Sequence, residues 1–304
     1  MTATRRTEIH VAFCCDLMML PGLYVAIGSL LAHASQPVQL WISLHNVGNR
    51  ARARLTRFLA GQPKLAKVNF VDVDLRPYDR FRGLHGNRTI YARLDLPGHI
   101  STERLLYLDS DVVCLADVAP LFDEDLGSSV CGMVSSGQLG GFLGAGLRQR
   151  LGLPANLPCF NSGVILMNVP AWNGTEVVRR IHSLESQWPG AIHTGDQGYL
   201  NAVLHSEIAP LAGCWNVALC PSTSPSARST ASIAHFVGQP KPWDPVGFFI
   251  HRHASLFLRT LRMVGGMDVL LRHWLMIETW RVSYKHREAH WQRLQQWMRG
   301  EEAQ

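Results

Sequence analysis

Short apolar runs alternate with segments of helical spacing along most of the chain, and this restricts the fold more than any other sequence feature. Ile9–Cys14 reads as a buried strand, Gly22–His33 as a helix and Val38–Leu44 as a second strand. Asn49–Leu59 sets basic residues between apolar ones, as a surface helix does. Strands are expected at Val68–Val73, Arg104–Leu108, Val130–Val134 and Gly163–Asn168, and helices at Val177–Ser186 and Gly198–His205. Strands and helices interleaved at this spacing give an α/β fold with a mainly parallel sheet. Ligands of such sheets bind beyond the carboxyl ends of the strands, so the polar residues there are the candidates for chemistry.

Composition narrows the class. Hydrophobic residues make up 47% of the 304 and charged ones 17%, too apolar a mixture for a disordered chain. The net charge is +6 with no block of about five or six consecutive basic residues, which argues against nucleic acid as a partner. Seven cysteines, an odd number without a C-x-x-C pair, fit free thiols in a reducing compartment. A cytoplasmic location is expected, because MTATRRTEIHVAFCC meets Asp16 too soon for a signal peptide. Leu17–Leu44 lacks Lys, Arg, Asp and Glu, but Pro21 and Pro37 interrupt it, so it reads as a buried helix and strand rather than a membrane span. The sequons at Asn87 and Asn173 are then chance matches.

Three strand ends carry carboxylates: Asp16, Asp72 with Asp74, and Asp109 with Asp111. RLLYLDSDVVC is the most informative segment, because an acidic pair inside an apolar run is costly to bury unless something neutralises it. In an extended chain the two carboxylates would point the same way and share one divalent cation, Mg²⁺ or Mn²⁺ by ligand hardness. The alternative is a pair of turn aspartates. Asn161-Ser162-Gly163 reads as a turn before a strand, and Asp196 as the cap of a helix. His235 lies in an apolar strand-like run, as a core histidine does, and Gly238 with Lys241 after it suggests a turn that could meet a phosphate. Gly137 to Gly146 holds five glycines in ten residues, a flexible lid or a plain surface loop.

Taken together and in order, HVAFCCD, TIYARLDLP, RLLYLDSDVVC, FNSGVILMN, GDQGYLN and AHFVGQPKPW resemble the retaining glycosyltransferases of family 8 over roughly residues 8 to 244. That family includes bacterial lipopolysaccharide galactosyl- and glucosyltransferases and the glycogenins. The resemblance implies a GT-A fold, a nucleotide-sugar-binding α/β unit with a mixed, mainly parallel sheet. It implies Asp109, Asp111 and His235 as ligands of Mn²⁺ or Mg²⁺, and Gly238 and Lys241 at the diphosphate of a UDP-sugar donor. Asp16 would meet the uracil, Arg93 the diphosphate and donor sugar, and Asn161 and Asp196 the donor sugar, with Gln197 nearest the anomeric carbon. Gln197 would support front-face transfer; a double displacement would use Asp196. Leu17, Gly198 and Ser135-Ser136 depart from patterns common in the family and leave galactose or glucose open. No convincing self-glucosylated tyrosine is present.

The catalytic unit is expected over 1–250, with a basic, Trp-rich helical tail over 251–304. The tail carries nine Lys+Arg against five Asp+Glu, and Trp274, Trp280, Trp291 and Trp297. Tyr284, Trp291, Leu294 and Met298 fall on one helical face among Arg281, Lys285, Arg287 and Arg293, a pattern suited to an anionic membrane surface. A saccharide or glycolipid acceptor, such as lipopolysaccharide, would place a cytoplasmic enzyme peripherally at the inner membrane. The rival readings are an inactive nucleotide-sugar-binding module, a transferase acting on protein or a soluble saccharide, and a metal phosphohydrolase.

Overall fold

The structure is a computed structural model, described for residues 8–83 and 87–285 and for Trp291, Gln292, Gln295 and Arg299. Ten strands occur in it: β1 Ile9–Asp16, β2 Val38–His45, β3 Leu65–Phe70, β4 Arg104–Leu108, β5 Val112–Cys114, β6 Cys131–Gln138, β7 Pro158–Asn168, β8 Ile208–Pro210, β9 Val217–Ala218 and β10 Ile233–His235. Seven form a sheet in the order β3-β2-β1-β4-β7-β6-β8, in which β7 alone runs against the others. The rest form a small sheet, β5-β10-β9.

The main sheet is buried on both faces, which is why its strands read as continuous apolar runs. Successive side chains alternate between two cores. Ile9, Val11, Phe13 and Cys15 enter one, and Ala12 and Cys14 the other. Leu106 and Leu108 likewise part from Leu105 and Tyr107.

The first two helices, α1 Leu20–His33 and α2 Asn49–Ala60, follow β1 and β2. Leu20 to Leu31 is buried throughout, which explains a helix with no charged residue. Between β3 and β4 lies the short α3 Ala92–Asp95, and after β6 comes α4 Ala145–Arg150. Two helices, α5 Val169–Gly174 and α6 Val177–Gln187, then lead to α7 Gly195–Leu204. The chain continues through α8 Pro245–Ile250, α9 Ala254–Met263, α10 Met267–Leu275 and α11 Ile277–Lys285. Leu256, Phe257 and Leu261 of α9 and Val269 and Leu270 of α10 share the core that holds Leu23, Val25 and Ile27 of α1. Trp274 donates to the Trp243 carbonyl at 2.7 Å, and Trp280 to the Trp274 carbonyl at 2.8 Å. Of the expected tail face, Arg287, Arg293, Leu294 and Met298, and the side chains of Tyr284 and Lys285, lie outside the described residues.

Several local expectations are corrected. Asn161-Ser162-Gly163 is not a turn: it lies inside β7, which outruns β4 because it stays paired with β6, Asn161 lying opposite Val134 and Pro158 opposite Gln138. Asp109-Ser110-Asp111 is the turn instead, taking the chain from β4 in the main sheet to β5 in the small one. Ser110 Oγ pins it to the Cys14 carbonyl at 2.8 Å. β3 ends at Phe70, and Val71 and Val73 are buried outside it. The glycine-rich segment is the end of β6, a helical turn at Leu139–Gly141 and the start of α4, held by buried Leu139, Leu143 and Leu147.

Candidate functional site

The parallel strands bring their carboxyl ends, and the start of the reversed β7, to one edge of the sheet. Asp16 closes β1 there and caps the turn Leu17–Met19, accepting from Met18 N–H at 2.9 Å and Met19 N–H at 3.0 Å. Its other oxygen takes the side-chain amide of Asn87. Burial raises the Asp16 carboxyl above its usual value against the pull of those donors. Asn87 is thus engaged inside the fold.

Asp109, Asp111 and His235 come together at the same edge, with one ligand atom from each inside 4.8 Å of the others. They converge although the two aspartates sit in a turn rather than an extended run. Each carboxylate is held on one oxygen by a cation. Asp109 Oδ1 lies 2.8 Å from Arg93 Nη2 and accepts from Tyr107 OH at 2.9 Å. Asp111 Oδ2 lies 2.5 Å from Lys241 Nζ. The remaining oxygens face the imidazole: Asp109 Oδ2 at 3.8 Å and Asp111 Oδ1 at 3.1 Å from His235 Nε2. Asp111 Oδ1 is buried and accepts no hydrogen bond. Burial would raise the Asp111 carboxyl, but Lys241 and His235 outweigh it and hold it well below the usual range.

Two carboxylates and an imidazole with inward atoms unclaimed by the protein form a donor set suited to a divalent cation. Gly163 makes room for the His235 ring and the Asp109 carboxylate. A Cβ there would stand 2.2 Å from His235 Cε1 and 2.9 Å from Asp109 Oδ2.

Arg93 lies deeper. It spans Asp109 and Asp196, with Nε 3.3 Å from Asp196 Oδ2, donates to the Ser162 carbonyl at 2.7 Å, and stacks 4.5 Å over the Tyr107 ring. Asp196 is therefore not a helix cap. Thr194 occupies that position without a side-chain bond, and Asp196 is buried in the first turn of α7. Desolvation raises its carboxyl, opposed by Arg93. Lys241 also donates to the Phe236 carbonyl at 2.5 Å, so it folds back over the turn in which Gly238 takes φ of 78°.

Gln197, one residue on, meets Asn161, which donates to Gln197 Oε1 at 3.1 Å. Asn161 Oδ1 accepts from Gly163 N–H at 2.9 Å and from Asn216 at 2.8 Å, and Asn216 reaches His235 Nδ1 at 3.0 Å. All ten sequence candidates thus lie on this edge or on the segment leading from it. Sequence reading missed Tyr107 and Asn216. Tyr107 was visible inside RLLYLDSD, whereas GCWN gave no sign that its asparagine was more than a turn residue.

Among the described residues no helix is long and apolar enough to cross a membrane, and all seven cysteines are free.

Known proteins share the family and the fold. Residues 10–247 match the family described as Glycosyl transferase family 8. General stress protein A of Bacillus subtilis is 26% identical over 272 residues, covering 79% of this chain and 89% of that protein. Glycosyltransferase GlyF of Streptococcus pneumoniae is 24% identical over 249 residues, and the match spans 76% of this chain but 59% of GlyF. The crystal structure of galactosyltransferase LgtC, in complex with donor and acceptor sugar analogues, superposes with a TM-score of 0.70 at 24% identity, over 83% of this chain and 95% of that one. Its likeness establishes the fold as GT-A. With the family match running from β1 through the metal-type cluster to α8, the chain is a glycosyltransferase and belongs to glycosyl transferase family 8.

Proposed function

We propose that the protein is a divalent-metal-dependent, retaining hexosyltransferase that moves galactose or glucose from a UDP-sugar to a saccharide acceptor. The observation that carries this reading is the meeting of Asp109, Asp111 and His235, with a buried Asp111 oxygen that no protein donor claims. These three residues would hold Mn²⁺ or Mg²⁺, and an imidazole ligand favours Mn²⁺. When bound, such an ion supplies Lewis-acid neutralisation of the charge that develops on departing UDP.

The other roles belong to the chain itself. Lys241, beside Asp111, adds positive charge where the diphosphate would lie, with Gly238 letting the backbone turn toward it. Arg93 orients Asp109 from behind, and Asp16 stands at the end of β1 where a base would sit. Asn161 and Gln197 present amides at the start of β7 and α7 for the donor sugar. Asp196 is buried and committed to Arg93, which makes it a poor covalent nucleophile and favours front-face attack by the acceptor beside Gln197. LgtC, crystallised with donor and acceptor sugar analogues, offers the same class of substrates by analogy.

A glycolipid acceptor of lipopolysaccharide type, met at the inner face of a bacterial membrane, is the favoured second substrate. Among the described residues the large hydrophobic side chains found exposed all lie beyond residue 248, among them Leu275 at 82% and Ile277 at 65%, with Arg272 and Arg281 close in sequence. We assign residues 1–250 to catalysis and 251–304 to this surface.

The test is UDP release from a panel of UDP-sugars without acceptor, in Mn²⁺ and in EDTA. Metal-dependent release from one sugar names the donor. If none is hydrolysed, UDP binding is titrated: metal-dependent binding without turnover points to a binding module or a missing acceptor, and no binding at all overturns the reading.

A further inference from the structure

We infer that Asn216 is a positioning residue that fixes the tautomer of His235 and ties that ring to the orientation of Gln197. The inference rests on the reading of Asp109, Asp111 and His235 as metal ligands.

The argument starts from a group whose role is unambiguous. The backbone N–H of Gly163 can only donate, so the Asn161 atom it meets at 2.9 Å is the oxygen. That oxygen also meets the Asn216 amide at 2.8 Å, so Asn216 must offer its NH₂ there. The other end of the Asn216 amide is then its oxygen, and it lies 3.0 Å from His235 Nδ1. An oxygen only accepts, so the proton is on Nδ1. A neutral imidazole carries one N–H, which leaves Nε2 with its lone pair toward Asp111 Oδ1 and Asp109 Oδ2. A lone pair facing two carboxylate oxygens is unfavourable unless a cation stands between them. The relay therefore prepares the ring as a ligand before any ion arrives, as outer-shell partners of metal-bound histidines do.

The same chain runs the other way. With its oxygen taken by Gly163 and Asn216, Asn161 offers its NH₂ to Gln197 at 3.1 Å, so the Gln197 atom there is Oε1. The free NH₂ of Gln197 is turned toward Cys159 Sγ, 3.9 Å away. Asn201 fixes the backbone around both, bonding Phe160 N–H and carbonyl at 2.8 Å and the Gln197 carbonyl at 2.8 Å. Asn216 is itself placed by the small sheet: it ends the turn Gly213–Asn216 immediately before β9, which pairs in parallel with β10 and puts Ala218 opposite His235. One buried amide thus joins the metal-type cluster to the residue placed nearest the donor sugar.

The test uses the full chain labelled with ¹⁵N-histidine, metal-free, at a pH where the ring is neutral. The His235 signal is identified by its loss in His235→Gln. The expected spectrum has a protonated Nδ1 and a bare Nε2, and an Nε2–H tautomer overturns the inference without any Asn216 variant. Mn²⁺ affinity is then titrated in two variants. Asn216→Leu removes both bonds and is expected to weaken Mn²⁺ binding by about 10- to 100-fold. Asn216→Asp keeps an acceptor for Nδ1–H but cannot donate to Asn161, so Mn²⁺ affinity is retained within about threefold while turnover falls by about tenfold or more. A lower melting temperature in Asn216→Leu with unchanged Mn²⁺ affinity makes Asn216 merely structural and overturns the inference. A wild-type chain that binds no Mn²⁺ overturns the metal reading instead, and the tautomer still decides on Asn216. If Asn216→Leu does not fold, the wild-type tautomer and Asn216→Asp decide.

Discussion

Lys241 Nζ sits 2.5 Å from Asp111 Oδ2, a pairing that spans 130 residues and leaves the other carboxylate oxygen facing His235. Lys241→Met should separate the two roles assigned to this lysine. A charge-assisted hydrogen bond to a diphosphate is worth about 1.5–3 kcal/mol, so UDP affinity should fall about ten- to hundredfold. Mn²⁺ alone should bind at least as tightly, because a competing cation has gone. Calorimetric titration of Mn²⁺ and of UDP with Mn²⁺ checks both, and unchanged UDP affinity would take Lys241 away from the diphosphate.

Asp111→Asn removes a charged oxygen while keeping the shape of the side chain. Losing several kcal/mol of transition-state charge stabilisation corresponds to about a thousandfold drop in turnover. Metal-dependent UDP binding should vanish with it, and circular dichroism should remain that of the wild type. Normal turnover in this variant would sink the metal assignment.

Acid stability carries a signature of the same residue. In the metal-free protein Asp111 is held well below its usual 3.8, despite burial, by Lys241 and His235. A carboxyl depressed by folding contributes stability that is complete above the unfolded value and lost as pH falls through the folded one. Urea unfolding in EDTA from about pH 6 to pH 3 should therefore fall more steeply for wild type than for Asp111→Asn. Parallel slopes would contradict the pairing.

Gly163→Ala tests how tightly the cluster is built. The new Cβ would press on His235 Cε1 from 2.2 Å, and the ring is held from behind by Asn216. Gly163 lies in β7 without a left-handed backbone, so alanine suits the strand and the damage is steric. Mn²⁺ affinity should fall by about tenfold or more, with the protein still folded. Titration of Mn²⁺ by electron paramagnetic resonance reads this directly.

Membrane association is best tested by substitution rather than by cutting the chain, because α10 supplies Val269 and Leu270 to the core. Leu275→Glu with Ile277→Glu alters two exposed positions. Sedimentation with phosphatidylglycerol vesicles should drop by about half or more while the melting temperature holds, because two apolar anchors are lost and charge repulsion is added. Undiminished sedimentation would assign the exposed face another role.

The sequence by itself determined the strand–helix alternation, the buried and charge-free α1, and the order of the six motifs, because apolar periodicity and short-range spacing are properties of neighbouring residues. It marked Asp109 and Asp111 as candidates for one ion, and the family resemblance added His235. Tertiary structure decided how each is held. Arg93 meets Ser162 across 69 residues, and Asn216 meets Asn161 across 55. It moved Asn161 from a turn into β7 and Asp196 from a cap to an ion pair, because strand extension and charge pairing are settled by what lies alongside. Local pattern records which residues prefer burial or a bend; which donor faces which acceptor is fixed only when the sheet brings distant strands to one edge.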